Sequence, residues 1–103
     1  MNIEWATGVF EGEGWIKKDK RKQATFDLGI NMTDADVLHR IKETFFNYGS
    51  VYETKSRPQH KQMYRWSVTK KAHVKDILLA MLPLLGMRRA YQALNALDDI
   101  EAR

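Results

Sequence analysis

The chain contains no cysteine, and this absence removes several classes of protein at once. A disulfide-stabilised scaffold, a zinc site with cysteine ligands and a catalytic thiol are all excluded. No apolar run reaches the roughly 18 residues of a transmembrane helix. The first residues, MNIEW, lack the basic start of a signal peptide. We therefore expect a cytosolic protein without a membrane span.

Other common catalytic patterns are missing as well. His39, His60 and His73 lack the spacing of metal ligands, and no H-E-x-x-H pattern for zinc is present. The sequence also has no Walker A loop, no Rossmann glycine pattern and no nucleophile elbow. Nucleotide-dependent and serine-hydrolase chemistry therefore have no signature in this chain.

What remains is the composition of one small, basic globular domain. The chain has 103 residues, 44% hydrophobic and 29% charged, so we expect a single domain over residues 1–103 with one modest core. The 17 Lys and Arg residues outnumber the 13 Asp and Glu residues, which gives a net charge of +4. A charge of this sign suits an anionic partner.

The apolar pattern predicts an α+β fold with the element order α-β-β-α-β-β-α-α. Helices are predicted over residues 2–13, 33–49, 71–82 and 87–102, and strands over residues 14–22, 23–32, 50–57 and 62–69. Thr33 is the predicted N-cap of the second helix. Tyr91, Leu94, Leu97 and Ile100 are predicted to face inward from the last helix. Two hairpins then form one four-stranded antiparallel sheet with the helices on one face.

The other face of this sheet is left to solvent and is mostly polar and cationic. Apolar residues alternate with polar residues and glycine in the second strand, which is typical of a strand buried on one side. A nucleic-acid-binding sheet has this character, with predicted contacts from Lys17, Asp19, Arg21, Thr25, Asp27, Asn31, Thr54, Arg65 and Ser67. Arg65 is a candidate for a base or phosphate contact, because arginine can contact guanine bidentately. The basic run over residues 17–22 fits either phosphate contact or a solvated hairpin.

The most specific local pattern is WATGVFEGEG, residues 5–14. Gly8 and Gly12 lie one helical turn apart, although each glycine costs a helix about 1 kcal/mol relative to alanine. A second helix can approach closely at such a surface, whether from the same chain or from a partner. Glu13 lies where the helix enters the sheet. In a two-fold dimer two such carboxylates converge, and their repulsion raises a pKa unless a cation is supplied.

This segment resembles the LAGLIDADG motif of homing endonucleases in the variant W-x-x-G-x-x-D/E-G-E-G. The matching positions are Gly8, Val9, Phe10, Glu11, Gly12, Glu13 and Gly14. Ala6 and Thr7 replace the usual leucine and the usual alanine or glycine. The following strands and the stretch LPLLGMRR, residues 82–89, also resemble the family, so the similarity extends over nearly the whole chain.

The resemblance implies an αββαββα fold whose saddle-shaped sheet binds double-stranded DNA. It implies a homodimer with Trp5, Gly8, Val9 and Gly12 in the interface. It further implies Mg²⁺, or another divalent cation, bound at Glu13 and Gly12. The implied reaction is a staggered double-strand break across the minor groove of a long, near-palindromic target.

Two further residues match catalytic positions of the family. Arg88 stands where the family has a lysine; because arginine stays protonated, it can hold a phosphate or polarise a water but cannot act as a general base. Asp34, with Asn31 nearby, matches a polar residue that orients water or metal, although a first-turn helix acid explains Asp34 equally well. Glu11 is expected to have a structural role near the interface.

Two alternatives stay open at this point. The first is a non-cleaving relative, either a DNA-binding regulator or an intron maturase that binds intron RNA. The second is an adaptor dimer without any nucleic-acid role, against which the basic hairpin and the polar sheet argue. The family resemblance is compatible with a cytoplasmic location in a bacterial or phage-infected cell, or with an organelle.

Overall fold

The computed structural model describes residues 2–19, 25–54 and 61–101. These form helices α1 (Ile3–Glu13), α2 (Ala35–Thr44), α3 (Lys71–Met81) and α4 (Met87–Glu101), and strands β1 (Gly14–Asp19), β2 (Thr25–Met32), β3 (Ser50–Glu53) and β4 (Tyr64–Val68). A short 3-10 helix, Leu82–Leu84, connects α3 to α4. The predicted α+β element order is confirmed. In the described part of the chain, no helix combines the length and apolar character needed to cross a membrane.

The four strands form one antiparallel sheet in the order β1-β2-β4-β3. Each predicted hairpin forms, and the two hairpins join where β2 pairs with β4. Gly14 pairs with Ile30, so β1 begins at the same end of the sheet where β2 finishes. Strands β1 and β3 end at Asp19 and Glu53 in the structure. Both were predicted to extend further, and residues 20–22 and 55–57 of those predicted strands lie outside the described residues.

One face of the sheet forms the core with the helices. Phe26, Leu28 and Ile30 of β2 and Trp66 and Val68 of β4 are buried there, as the alternation predicts. Helix α2 contributes Leu38 and Ile41, and helix α3 contributes Val74, Ile77, Leu78 and Met81. The Phe45 ring stacks on Trp66 with a centroid distance of 5.7 Å. The helices therefore cover this face and leave the opposite face open.

The start of α2 differs from the prediction. Asp34, not Thr33, is the N-cap: its Oδ1 accepts hydrogen bonds from the backbone N–H groups of Asp36 (3.0 Å) and Val37 (3.4 Å). Its backbone is extended, so the helix begins only at Ala35. Both Thr and Asp cap helices well, and the sequence alone could not decide between neighbours.

The inward face of α4 was also predicted wrongly in part. Tyr91 is 70% exposed and Leu94 is 49% exposed, whereas Leu97 is buried as predicted. The buried stripe instead consists of Ala93, Ala96, Leu97 and Ile100. The sequence contains two overlapping apolar stripes, and the stripe with two alanines packs inward because small side chains let the helix lie close to its neighbours.

Gly29 in β2 is a packing requirement of the sheet. It pairs with Trp15 of β1 and with Ser67 of β4. A Cβ atom at Gly29 would overlap the Trp66 carbonyl oxygen and would come within 2.7 Å of the Trp15 ring. Only glycine leaves room for the Trp15 ring at this distance from the strand.

Gly29→Ala is therefore expected to destabilise the protein by about 1–3 kcal/mol, the usual cost of overpacking. Urea unfolding followed by circular dichroism measures this loss. The exposed neighbouring change Ser50→Ala is the control and should alter stability by less than about 0.5 kcal/mol. Equal unfolding midpoints for the two variants would contradict the close approach of Trp15.

Candidate functional site

The C-terminal end of α1 presents an acidic side chain at the edge of the sheet. Ala6, Thr7 and Phe10 bury one face of the helix against the core. Gly14 ends the helix: its N–H donates to the Phe10 carbonyl, and a Cβ there would overlap the Phe10 ring. Glu13 is exposed, and no hydrogen bond or ion pair within the described part of the chain engages its carboxylate. The carbonyls that follow Phe10 in the last turn lack an N–H donor inside the helix, which leaves negative partial charge beside Glu13.

Two contacts attach this end of α1 to the start of α4. Glu11 accepts a hydrogen bond from the backbone N–H of Gly86. Arg89 donates from Nη2 to the Gly14 carbonyl oxygen at 2.7 Å, and its guanidinium lies 5.5 Å from the Phe10 ring centroid. The backbone on the C-terminal side of Glu13 is thus held by a residue distant in sequence. Glu11 has the structural contact that its position suggested.

Arg89, the neighbour of the predicted catalytic residue Arg88, makes the contacts with Gly14 and Phe10. Arg88 is exposed, and its side chain has no hydrogen bond or ion pair among the residues that the structure describes. Arg89 is half-buried because it lies four residues before Ala93, on the inward stripe of α4. The helical period places Arg89 on the inward stripe, and a catalytic role for Arg88 stays a prediction.

Asp34 has a defined structural role as the N-cap of α2. Its carboxylate is the hydrogen-bond acceptor for the first turn of that helix. It follows Met32, the last residue of β2, and Gly14 pairs with Ile30. Asp34 therefore follows the same end of the sheet at which Glu13 lies, and a catalytic role for it stays a prediction.

The two glycines of α1 face open space. A Cβ atom at Gly8 or at Gly12 would meet nothing within 4 Å. Trp5, on the same side, is 38% exposed, whereas Val9 is half-buried and packs against the core of its own chain. The glycines therefore serve no packing contact among the described residues. Of the two interpretations drawn from the sequence, close packing within one chain loses its support.

The solvent-facing side of the sheet, here called the open face, carries Trp15, Lys17, Asp27, Gly29, Asn31, Ser50, Tyr52, Arg65 and Ser67. Several of these side chains are bonded to each other. Ser67 Oγ donates to Asp27 Oδ1, and Arg65 Nε donates to Asn31 Oδ1, each at 2.9 Å. Lys17 is exposed. Two side-chain hydrogen bonds thus orient polar groups of the open face, and Lys17 adds a cation at its edge.

The other predicted contact residues lie at the ends of this sheet. Thr54 follows β3, and its hydroxyl donates to the Met63 carbonyl at 3.3 Å. Asp19 and Thr25 pair at the tip of the first hairpin. Arg21 lies outside the described residues. Tyr52 is 44% exposed on the open face.

Glu13 is the residue at which the sequence predicts a metal ion. Within the described residues there is no group of three or more His, Asp or Glu side chains able to hold a metal ion. The Glu13 carboxylate supplies hard oxygen donors, which suit a divalent cation such as Mg²⁺. One carboxylate is a partial ligand set, and the second Glu13 expected from a partner chain stays a prediction.

The two adjacent arginines give a direct test of the contacts at the motif. Arg89→Met keeps the packing of the stem but removes the hydrogen bond to Gly14, so we expect a loss of about 1–2 kcal/mol in stability. Arg88→Met is the control and should stay within about 0.5 kcal/mol of the parent. Chemical denaturation measures both variants. Similar losses at the two positions would contradict the assigned role of Arg89.

No protein-family profile matches the chain, but solved structures do. I-CvuI, a homing endonuclease in complex with its target in the presence of Ca, matches with a TM-score of 0.77 and 21% identity over 96% of this chain and 65% of its own. I-GzeII, a LAGLIDADG homing endonuclease in complex with a DNA target, matches with a TM-score of 0.77 and 19% identity over 98% of this chain and 35% of its own.

I-SmaMI, a LAGLIDADG homing endonuclease bound to cleaved DNA, has a TM-score of 0.78 and 14% identity over 98% of this chain and 36% of its own. The chain thus spans less than two thirds of the length of I-CvuI, I-GzeII and I-SmaMI. At these identities the architecture is what is shared. The chain has the fold of the LAGLIDADG homing endonucleases.

Proposed function

We propose that this protein is a DNA endonuclease that binds double-stranded DNA on the open face of its sheet. The observation that carries the proposal is the position of Glu13: an exposed carboxylate at the edge of a polar sheet face, in a fold whose solved examples include DNA-bound endonucleases. The net charge of +4 favours attraction to the phosphate backbone.

The active unit in this proposal is a homodimer formed through α1. Gly8 and Gly12 face open space beside the exposed Trp5, so a second helix can approach the backbone of α1 closely. Each glycine weakens the helix by about 1 kcal/mol, and no contact in the described part of the chain accounts for that loss. A two-fold axis along this surface brings two Glu13 residues together.

The paired Glu13 carboxylates, with the Gly12 carbonyls, would hold Mg²⁺ or a similar cation. Such an ion supplies charge stabilisation to the oxygens that enter and leave during phosphodiester hydrolysis. Binding of the cation would relieve the repulsion between the two Glu13 carboxylates, and Arg88, exposed at the start of α4, would bind a phosphate oxygen. Arg89 holds the backbone next to Glu13 through the Gly14 carbonyl.

Two-fold symmetry sets the form of the product and of the target. Each subunit cuts one strand, which gives a staggered double-strand break, and both subunits read similar half-sites of a long, near-palindromic sequence. Specificity comes from many open-face side chains and from the deformability of the DNA. Binding without cutting, to DNA or to an intron RNA, would mark a non-cleaving relative instead.

Glu13→Gln is expected to abolish cutting but to retain DNA binding. The amide keeps the shape of the side chain but lacks the charge, and we expect cleavage to fall at least about 100-fold, as when other transition-state stabilisers are removed. A randomised DNA library incubated with Mg²⁺, with sequencing of the cut ends, measures cleavage. Gel-shift titration with an enriched duplex measures binding.

Glu43→Gln, at an exposed position of α2, is the matched control for this charge change. It should leave both cutting and binding near the parent level. Undiminished cutting by Glu13→Gln would remove Glu13 from the reaction. Absence of DNA binding by the parent protein would instead favour the adaptor interpretation.

Gly8→Leu is expected to separate the dimer without unfolding the chain. The added side chain enters open space in one copy but collides with the second helix, which should weaken the dimer by about tenfold or more. Sedimentation velocity measures the mass, and circular dichroism measures folding. Ala72→Leu, on the exposed side of α3, is the control. If the parent protein and the Gly8→Leu variant both sediment as dimers of equal stability, α1 is not the interface.

A further inference from the structure

A cluster on the open face combines one cation with two neutral side chains. Trp15, Asn31 and Arg65 line a shallow cavity of about 300 Å³, together with Ile16, Lys17 and Asp27. Arg65 lies on β4, an inner strand, opposite Asn31 of β2 and Tyr52 of β3. The cation is thus placed within the sheet face and not at its rim.

Two contacts hold the Arg65 guanidinium in one orientation. Its Nε donates to Asn31 Oδ1 at 2.9 Å, and its Cζ lies 5.3 Å from the centroid of the Trp15 ring. Both partners are uncharged, and among the described residues no carboxylate is ion-paired with Arg65. Asp27, which lines the same cavity, accepts instead from Ser67. Arg65 is therefore oriented without losing its charge.

The unused donors of Arg65 define what it can bind. With Nε occupied, Nη1 and Nη2 form the remaining planar pair of donors, and no hydrogen bond within the described residues involves them. Such a pair matches O6 and N7 of guanine in the major groove. A side chain that is already oriented loses less entropy on binding, which favours directional contact with a base edge over a loose contact with a phosphate.

We propose that Arg65 reads a guanine base in the DNA target, with Asn31 and Trp15 as the residues that position it. This inference rests on the proposed DNA-binding function and names one base of the target and the residue that contacts it. Register also predicts where the guanine lies. Gly14, the residue after Glu13, pairs with Ile30, and Asn31 follows Ile30 in β2. The cluster is therefore near the end of the sheet at which Glu13 lies. The guanine should therefore fall on the inner part of each half-site, near the cuts.

Binding selection from a randomised duplex DNA library tests this assignment. The parent protein should enrich a guanine at one position of each half-site. Arg65→Lys keeps the charge but loses the planar fork, so preference for that guanine should fall by roughly 5- to 150-fold, the range of one bidentate base contact. Asn31→Ala should lower the same preference while affinity for random DNA stays unchanged. Arg40→Lys, on an exposed part of α2, is the matched control.

Modified bases in the enriched duplex distinguish a base contact from a phosphate contact. Replacing the guanine with 7-deazaguanine removes N7 and should weaken binding by the parent but not by Arg65→Lys. Inosine keeps O6 and N7 and should bind like guanine. Retained guanine preference in Arg65→Lys, or an equal loss of affinity for all sequences, would overturn the proposal while leaving DNA binding intact. If the parent enriches no sequence at all, the proposed function fails and this assignment fails with it.

Discussion

The attachment of α1 is the constraint on which the candidate site depends. Phe10 buries the helix against the core, and Gly14 ends it beside the Phe10 ring, so the chain passes directly from helix to edge strand. Glu13 occupies that junction. Since Arg89 and Gly86 also bind the junction, its backbone is restrained by residues from α4 as well as by β1. An acidic group on restrained backbone is what a metal-dependent centre requires.

The two sides of α1 differ in their surroundings, and the two glycines mark the side that has no contact with its own chain among the described residues. The core side is filled by large and small apolar groups, whereas a Cβ at Gly8 or Gly12 would touch nothing. The two glycines lower the stability of α1, and no contact among the described residues of the same chain offsets that loss. The proposed partner helix offsets it, and it also completes a centre to which one chain contributes one carboxylate.

On the open face, hydrogen bonds within the sheet arrange the side chains before any partner arrives. Ser67 engages Asp27 and Asn31 engages Arg65, so the acidic and amide groups orient neighbours and do not neutralise the arginine. Individual residues predicted as DNA contacts therefore differ in what they can do. Lys17 is exposed and suits phosphate, whereas Arg65 is oriented and suits a base.

Local patterns in the sequence determined the element order, the buried side of each inner strand and the placement of Glu13 at a helix end, because periods of two and 3.6 residues are set within one segment. They did not determine the cap of α2, the inward stripe of α4 or the contacts of Arg89 with Gly14 and Phe10. Those features depend on contacts between segments, and the two contacts at Glu11 and Gly14 each join residues 75 positions apart. The pairing of Asn31 with Arg65 likewise required the register of β2 against β4, which only the folded sheet decides.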